Sequence, residues 1–205
     1  MFVTLEGVDG AGKSTQARLL AAALGDGTLL LREPGGTPAG ERLRELLKDA
    51  SVELTPRAEL MLFCAARAEL VERVIRPALA AGSDVVCDRF VDSTVAYQGG
   101  ARGLDAGLIS SLNAAAVGDC MPDRTILLRL EGTVARDRAA GRCESPISDR
   151  FESEGEGFAE RIAAEFDRIA RAEPERFAVV DARGTVDQVH ARVLAALGLE
   201  GAGDR

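Results

Sequence analysis

The octapeptide GVDGAGKS, Gly7–Ser14, is the feature that most constrains the fold of this chain. It fits the phosphate-loop pattern G-x-x-x-x-G-K-[ST] and lies between an apolar run, Phe2–Leu5, and a helical pattern, Ser14–Leu24. A strand, a glycine-rich loop and a helix in this order direct successive backbone N–H groups towards one anion. We therefore predict a nucleoside triphosphate site formed by Gly7, Val8, Asp9, Gly10, Ala11, Gly12, Lys13, Ser14 and Thr15.

Two side chains of the loop have predicted roles in phosphate chemistry. Lys13 is expected to reach the β- and γ-phosphates as a point charge, and the Ser14 hydroxyl is expected to ligate Mg²⁺. The glycines allow the backbone to approach the phosphates, which a Cβ atom would block. The alternative is a glycine-rich turn that fits the pattern by chance, but the flanking strand and helix favour the phosphate site.

Apolar runs and helical patterns alternate along the chain. The runs are nearly continuous, which is typical of parallel strands covered on both faces; they span Phe2–Leu5, Thr28–Leu31, Asp84–Cys87, Thr125–Leu130 and Phe177–Val180. The helical patterns span Ser14–Leu24, Ala39–Lys48, Arg57–Ala80, Ala106–Val117, Thr133–Ala140, Gly157–Ala172 and Val186–Leu197. This alternation predicts an α/β fold with three layers, the P-loop NTPase fold, in which helices flank a parallel five-stranded sheet.

Length and charge narrow the class of protein. A chain of 205 residues is expected to form a single domain, with a frayed tail at 200–205. The net charge of -8 argues against a nucleic-acid partner, which would require a basic face. Four cysteines without a Cys-x-x-Cys pair, together with the one histidine, do not indicate a zinc site. Without a signal peptide, a membrane-spanning run or a disulfide pattern, we expect a cytoplasmic protein without membrane contact.

A pair of charged residues, Asp88 and Arg89, follows the third predicted strand. Ligands of doubly wound sheets bind at the carboxyl ends of the strands, so this pair is expected to face the phosphate loop. Asp88 could hold Mg²⁺ directly or through water, and Arg89 could neutralise charge on a transferred phosphoryl group. A guanine-binding N-K-x-D segment is absent from the sequence, which argues against a guanine-specific switch protein.

Five segments in order along the chain resemble bacterial thymidylate kinases, the ATP:dTMP phosphotransferases. They are FVTLEGVDGAGKST (Phe2–Thr15), REPGGT (Arg32–Thr37), FCAAR (Phe63–Arg67), DRFVDSTVAYQGG (Asp88–Gly100) and DRFE (Asp149–Glu152). The resemblance extends from Phe2 to about Leu197. It implies Mg²⁺-dependent transfer of the ATP γ-phosphate to dTMP, giving dTDP and ADP in dTTP biosynthesis, by a homodimer.

The resemblance also implies roles for single residues around dTMP. Phe63 would stack on thymine, and Arg67 would bond the pyrimidine edge from the same helical face. A guanidinium on that face is not expected to be buried without a ligand. The other implied contacts are Arg32 and Arg44 at the acceptor phosphate, Asp9 at the 3′-hydroxyl, Tyr97 at the 2′ face of the sugar, Thr94 and Gln98 at the base with Ser93 nearby, and Glu33 as a further substrate-binding residue.

The polar segment 141–157 is expected to be a mobile lid, although a solvated surface loop would have the same composition. The phosphate loop lacks an arginine, so the chain resembles thymidylate kinases in which a lid arginine stabilises the moving phosphoryl group. Arg142 is the leading candidate, Arg138 is placed against adenine, and Arg150 with Glu152 would order the closed lid. Because Cys143–Ser148 lengthens this lid, the choice among the three arginines stays open. The predicted catalytic set is Lys13, Arg89, Arg142 and Asp9.

Other functions remain compatible with parts of this pattern. The nearest is another nucleoside monophosphate kinase, or a deoxynucleoside kinase, on the same fold. A nucleotide-dependent switch module would bind without transferring phosphate, but it would not need the second nucleotide pocket that Phe63 and Arg67 indicate. A catalytically inactive homologue would be expected to lack some of the charged positions, and all of the matched ones are filled.

Overall fold

The computed structural model describes residues 1–130 and 156–199. Its strands are β1 (Phe2–Glu6), β2 (Leu29–Arg32), β3 (Val85–Asp88), β4 (Arg124–Arg129) and β5 (Phe177–Asp181). They form one parallel sheet in the spatial order β2-β3-β1-β4-β5. The predicted parallel five-stranded sheet is thus confirmed, and β1, which leads into the phosphate loop, lies at its centre.

Helices connect the strands. They are α1 (Lys13–Leu24), α2 (Pro38–Lys48), α3 (Pro56–Leu70), α4 (Arg76–Ala80), α5 (Val91–Thr94), α6 (Ala106–Val117), α7 (Glu156–Ala172) and α8 (Val186–Ala196). None of the helices among the described residues has the length and apolar character needed to cross a membrane.

Two π-helical segments mark the main differences from the sequence prediction. The predicted helix Arg57–Ala80 consists of α3 and α4, joined by the π-helical turn Val71–Ile75. Helix α5 and the π-helix that continues it, Val95–Ala101, were not predicted. Two adjacent glycines in that segment disfavour a helix by their propensity, so tertiary contacts determine its conformation.

Some predictions fall on residues that the structure does not describe. These are the helix predicted at Thr133–Ala140, the tail 200–205 and the lid as far as residue 155, with Arg138, Arg142, Arg150 and Glu152. The last two residues of the predicted lid, 156 and 157, belong to α7.

Local sequence signals explain where several helices begin. The Thr37 side chain accepts a hydrogen bond from the Gly40 amide at the start of α2, and proline occupies the first turn of both α2 and α3. At α8, Thr185 and Gln188 form a reciprocal capping box. Each threonine cap is typically worth about 1 kcal/mol, and proline fits the first turn because its missing N–H would have no helical acceptor.

Alternation along the strands divides the core between the two faces of the sheet. Val3 and Leu5 of β1 pack in a cluster with residues of α1 and α8, such as Leu20 and Val193. Phe2 lies on the opposite face, in a cluster with residues of α3, α5 and α6. Thr4 and Glu6 share the face of Phe2 and are also fully buried. This burial places polar groups beneath the elements that follow β3.

Candidate active site

The phosphate loop connects β1 to α1 at the centre of the sheet. Gly7 has φ +139°, and a Cβ atom at this position would lie 2.5 Å from the Leu128 carbonyl oxygen. Gly12 adopts φ +94° immediately before α1. Glycine is therefore required at Gly7 by both conformation and close packing, and at Gly12 by conformation. The first turn of α1 holds no acidic side chain, so its amide groups remain suited to a phosphate.

Lys13 is buried beneath the loop, with only 6% of its surface exposed. Its Nζ donates a hydrogen bond to the Val8 carbonyl at 2.8 Å and lies 3.9 Å from Asp9 Oδ1. Burial, followed by the nearby Arg89 guanidinium, lowers the pKa of Lys13 to about 8. An incoming polyphosphate would favour the charged ammonium, because opposite charge stabilises the ionised form.

Ser14 and Asp88 bring the start of α1 against the end of β3. Ser14 Oγ donates to Asp88 Oδ2 at 2.5 Å, whereas Asp88 Oδ1 is buried and has no hydrogen-bond partner among the described residues. A hydroxyl and a carboxylate with spare oxygen lone pairs are the ligand types that Mg²⁺ prefers. The residues therefore fit the ion predicted for this position.

Arg89 lies between the phosphate loop and α5. It is the only non-glycine residue with positive φ, +73°, in the described chain, and its amide donates to the Leu5 carbonyl at 3.0 Å. Its guanidinium donates to the Gly7 carbonyl at 3.3 Å, to Asp9 Oδ1 at 2.5 Å and to the Tyr97 hydroxyl at 3.1 Å. The strained backbone thus directs a cation at the loop that should hold the transferred phosphate.

Asp9, Tyr97 and Arg89 form a triangle at the mouth of the site. The Tyr97 hydroxyl lies 3.1 Å from Asp9 Oδ2, and the Arg89 guanidinium stacks 5.0 Å from the Tyr97 ring centre. Burial opposes ionisation of Asp9, but Arg89 and Lys13 outweigh it and hold the Asp9 pKa below its ordinary value. Burial raises the pKa of Tyr97. Asp9 is therefore a charged acceptor at neutral pH, and Tyr97 is a neutral donor.

The arginines predicted to bind the acceptor phosphate flank the loop between β2 and α2, with Arg32 at the end of β2 and Arg44 in α2. Arg32 Nη2 contacts Glu41 Oε2 of α2 at 2.8 Å, and the Gly36 amide donates to Glu41 Oε1 at 2.8 Å. Arg44 Nη1 donates to the Pro34 carbonyl at 2.9 Å. Glu41 therefore braces the loop, while the Arg32 side chain keeps 49% of its surface exposed.

Arg67 is fully engaged by protein groups. It is 1% exposed, and its Nε and Nη2 bind the Glu33 carboxylate, with Nη2 2.5 Å from Oε2. Nη1 donates to Thr94 Oγ1 and Asn113 Oδ1, and Nη2 also donates to the Phe90 carbonyl. The expectation that a buried Arg67 requires a ligand is therefore wrong, because Glu33 supplies the counter-charge. Its contact with the pyrimidine edge stays a prediction.

The remaining residues predicted near the base lie on α3, α5 and the following π-helix. Phe63 is half-buried on α3, one turn before Arg67, so its ring is not a fully buried core residue. Gln98 is buried and donates its amide to Glu59 Oε1 at 2.8 Å. Ser93 contacts the Arg89 guanidinium at 3.0 Å. These elements meet the phosphate loop at the carboxyl edge of the sheet.

Buried acids that sequence analysis did not single out support this arrangement. Glu6, Glu59 and Asp92 are all below 3% exposed. Glu6 accepts hydrogen bonds from α5, Glu59 accepts from the π-helix and from the residue after it, and Asp92 is itself part of α5. Asp92 is bound at both oxygens by Arg176, at 2.7 and 2.8 Å. The sequence signal that could have identified these acids is a charged residue inside or next to an apolar run. Glu6, which follows the apolar run of β1, is an example.

Comparison with known proteins assigns the arrangement to a family. Residues 5–193 match the family model described as Thymidylate kinase. The chain belongs to the thymidylate kinase family. It is 48% identical over 202 residues to the thymidylate kinase of Rhizorhabdus wittichii, covering 96% of each chain. It is 43% identical over 204 residues to that of Deinococcus radiodurans, covering 98% of each.

A solved thymidylate kinase shares the fold. The crystal structure of the enzyme from Ehrlichia chaffeensis superposes with a TM-score of 0.80 at 34% identity, covering 96% of this chain and 98% of that one. This similarity confirms the P-loop NTPase fold predicted from the sequence. Membership of the thymidylate kinase family also confirms the resemblance carried by the five sequence segments.

Proposed function

We propose that this member of the thymidylate kinase family transfers the γ-phosphate of ATP to dTMP, giving dTDP and ADP for dTTP biosynthesis. The observation that carries the proposal is the position of Arg89. One guanidinium contacts the Gly7 carbonyl of the phosphate loop, and it also contacts Asp9 and Tyr97 on the side assigned to the acceptor. A cation between donor and acceptor is what phosphoryl transfer requires.

The transfer would depend on alignment and charge rather than on a covalent intermediate. The loop amides and Lys13 would hold the β- and γ-phosphates, and Arg89 would neutralise charge that spreads over the transferred group. Ser14 and Asp88 would hold Mg²⁺, which when bound neutralises phosphate charge. Asp9, kept ionised by Arg89 and Lys13, would accept from the 3′-hydroxyl of dTMP.

The acceptor nucleotide would lie between α3 and the π-helix. The half-buried Phe63 would stack on thymine, and Tyr97 would crowd the 2′ face of the sugar. Arg32 and Arg44 would bind the phosphate, and Glu41 would brace Arg32 and the loop between β2 and α2. The Arg67–Glu33 pair would shape the base pocket from below, together with Thr94 and Gln98.

Several parts of the proposal concern the whole protein. We propose that residues 1–205 form a single nucleoside monophosphate kinase domain, that Arg142 in the lid contacts the transferred phosphoryl group, and that Arg138 lies against adenine. A homodimer, which the sequence resemblance implies, and a cytoplasmic location also stay predictions.

A coupled assay of ADP release tests this function. We expect ADP release from ATP and Mg²⁺ to be at least about 10-fold slower with UMP, CMP, AMP or thymidine than with dTMP, because a pocket that hydrogen-bonds its substrate rejects acceptors that leave its polar groups unpaired. Faster turnover with any other acceptor would reassign the substrate. Equal ADP release with and without acceptors would contradict a transferase.

A further inference from the structure

Glu6 is a buried acid that the proposed transfer chemistry does not use. It is the last residue of β1, it is 0% exposed, and it stands directly before the phosphate loop. Its Oε1 accepts from the Phe90 amide at 2.7 Å and the Ser93 amide at 3.2 Å. Its Oε2 accepts from the Ser93 hydroxyl at 2.6 Å. One carboxylate thus satisfies three donors of the segment after β3.

These contacts hold the backbone on both sides of Arg89. The Arg89 amide is bound to the Leu5 carbonyl at 3.0 Å, and the next amide, that of Phe90, is bound to Glu6. Both acceptors belong to β1. The left-handed conformation of Arg89, φ +73°, is therefore fixed against the strand that leads into the phosphate loop. A non-glycine residue keeps such a conformation only where its surroundings enforce it.

The Ser93 hydroxyl extends the contact to the guanidinium. Ser93 Oγ donates to Glu6 Oε2 and accepts from Arg89 Nη1 at 3.0 Å. A hydroxyl has one hydrogen to donate, so donation to Glu6 leaves its lone pairs facing Arg89. A glutamine in place of Glu6 would offer only one acceptor oxygen. Its amide would also compete with Arg89 as a donor to the Ser93 hydroxyl.

We propose that Glu6 is a positioning residue for phosphoryl transfer, which holds Arg89 in place through the Phe90 amide and the Ser93 hydroxyl. The inference rests on the proposed function, because Arg89 must act on the transferred group for its position to matter. Glu6 itself touches neither nucleotide in this account. The neighbouring acid Asp92 belongs to a different contact, since Arg176 binds both of its oxygens.

The substitution Glu6→Gln tests the inference by steady-state kinetics in the ADP-release assay at pH 9, because burial raises the pKa of Glu6 to about 8 and glutamine differs in charge only from the ionised side chain. We expect kcat to fall at least about 10-fold, while KM for ATP changes by less than about 2-fold, because a lost transition-state contact lowers kcat without weakening ground-state binding. In an Arg89→Ala background the same substitution should change kcat by less than about 2-fold, since residues acting as a unit are not additive.

Two further variants keep the test decisive. Thr4→Val removes a buried hydroxyl from the same face of β1, where Thr4 binds Thr125, and should leave kcat within about 2-fold of the wild type. Ser93→Ala removes the hydroxyl that links Glu6 to the Arg89 guanidinium, while Glu6 keeps its bonds to the backbone amides. This variant tests the inference if Glu6→Gln does not fold. Its kcat should fall several-fold with Arg89 present and not in the Arg89→Ala background.

The outcomes separate this inference from the proposed function. A wild-type protein without dTMP-dependent ADP release would contradict the proposed function. An active wild type whose kcat survives both Glu6→Gln and Ser93→Ala would overturn the positioning role. An equal loss of kcat with and without Arg89 would also overturn it, because Glu6 would then act by another route.

Discussion

Ser14 Oγ lies 2.5 Å from Asp88 Oδ2, although the two residues are 74 positions apart in the chain. The contact joins the start of α1 to the end of β3, and it leaves Asp88 Oδ1 buried without a partner in the described part of the structure. An unpaired buried carboxylate oxygen is costly unless something binds it. A divalent cation held by this pair would supply that partner, and it would neutralise phosphate charge when bound.

Asp88→Asn should therefore change the Mg²⁺ requirement. The amide keeps the size of the side chain but removes its charge, so we expect the Mg²⁺ concentration for half-maximal ADP release to rise at least about 10-fold. Asp119→Asn is the matched control, because Asp119 is 88% exposed and pairs only with Arg76 among the described residues. An unchanged Mg²⁺ midpoint in Asp88→Asn would remove Asp88 from the metal site.

Lys13→Ala and Arg89→Ala test the two cations assigned to the phosphates. Each should lower kcat at least about 100-fold, the scale for losing one preorganised donor that stabilises developing charge. Arg73→Ala is the control, since Arg73 is exposed and pairs with Glu69 on the helix surface. Kinetics at saturating ATP and dTMP measure the effect. Near-normal turnover in either variant would contradict its assigned role.

Tyr97 can be tested separately as the residue that excludes a ribose hydroxyl. Tyr97→Ala should raise the kcat/KM for ribothymidine monophosphate relative to dTMP by about 10-fold or more, because it opens space beside the sugar. Tyr97→Phe keeps the ring and should preserve the preference, although it loses the bonds to Asp9 and Arg89. If Tyr97→Ala discriminates as the wild type does, sugar selection lies elsewhere.

The parallel sheet was predictable because buried parallel strands are nearly continuous apolar runs, as in residues 125–130. The segment 91–101 was not predictable from local signals, because its glycines oppose a helix and its conformation depends on distant partners. Glu6 binds its amino end, Arg176 binds Asp92, and Glu59 binds Gln98. Those partners come from β1, from the residue before β5 and from α3.

The candidate site likewise contains residues that could be predicted from the sequence and contacts that could not. Loop residues such as Lys13 and Ser14 were identified from spacing, because the phosphate loop needs fixed residue types at fixed positions. Arg67 was placed correctly on α3, but its partner Glu33 comes from the loop after β2. A pairing between segments that are distant in sequence leaves no local pattern. Charged residues beside apolar runs were the available signal.

Breaking the Arg67–Glu33 pair should destabilise the fold. Arg67→Met would leave the Glu33 carboxylate, whose pKa burial already raises, without its counter-charge. We expect a loss of about 3–5 kcal/mol in the free energy of unfolding, measured with urea. The double variant Arg67→Met, Glu33→Met removes both charges, so its free energy of unfolding should fall by less than that of Arg67→Met alone. An equal or greater loss would show that the pair itself is strongly stabilising.

Glu6 should also make folding stability depend on pH. Burial, followed by the nearby Asp92 carboxylate, raises the pKa of Glu6 to about 8. In the unfolded chain Glu6 loses its proton near its ordinary pKa of about 4.3, so between that pH and about 8 the folded state binds more protons. The contribution of Glu6 to stability is therefore complete at pH values below its pKa in the unfolded chain, and it is lost as the pH rises towards 8. Other charged or titratable groups near Glu6 are Arg89, Lys13, Arg67 and Cys87.

Glu6→Gln removes this titration while keeping the size of the side chain. The free energy of unfolding of the variant minus that of the wild type should therefore increase from pH 5 to pH 8, by up to about 1.4 kcal/mol per pH unit. Urea unfolding at several pH values measures the difference, and contributions from other groups cancel to the extent that they are shared. Thr4→Val should follow the pH dependence of the wild type. A difference that stays constant or falls over this range would mean that Glu6 is ionised in the folded protein.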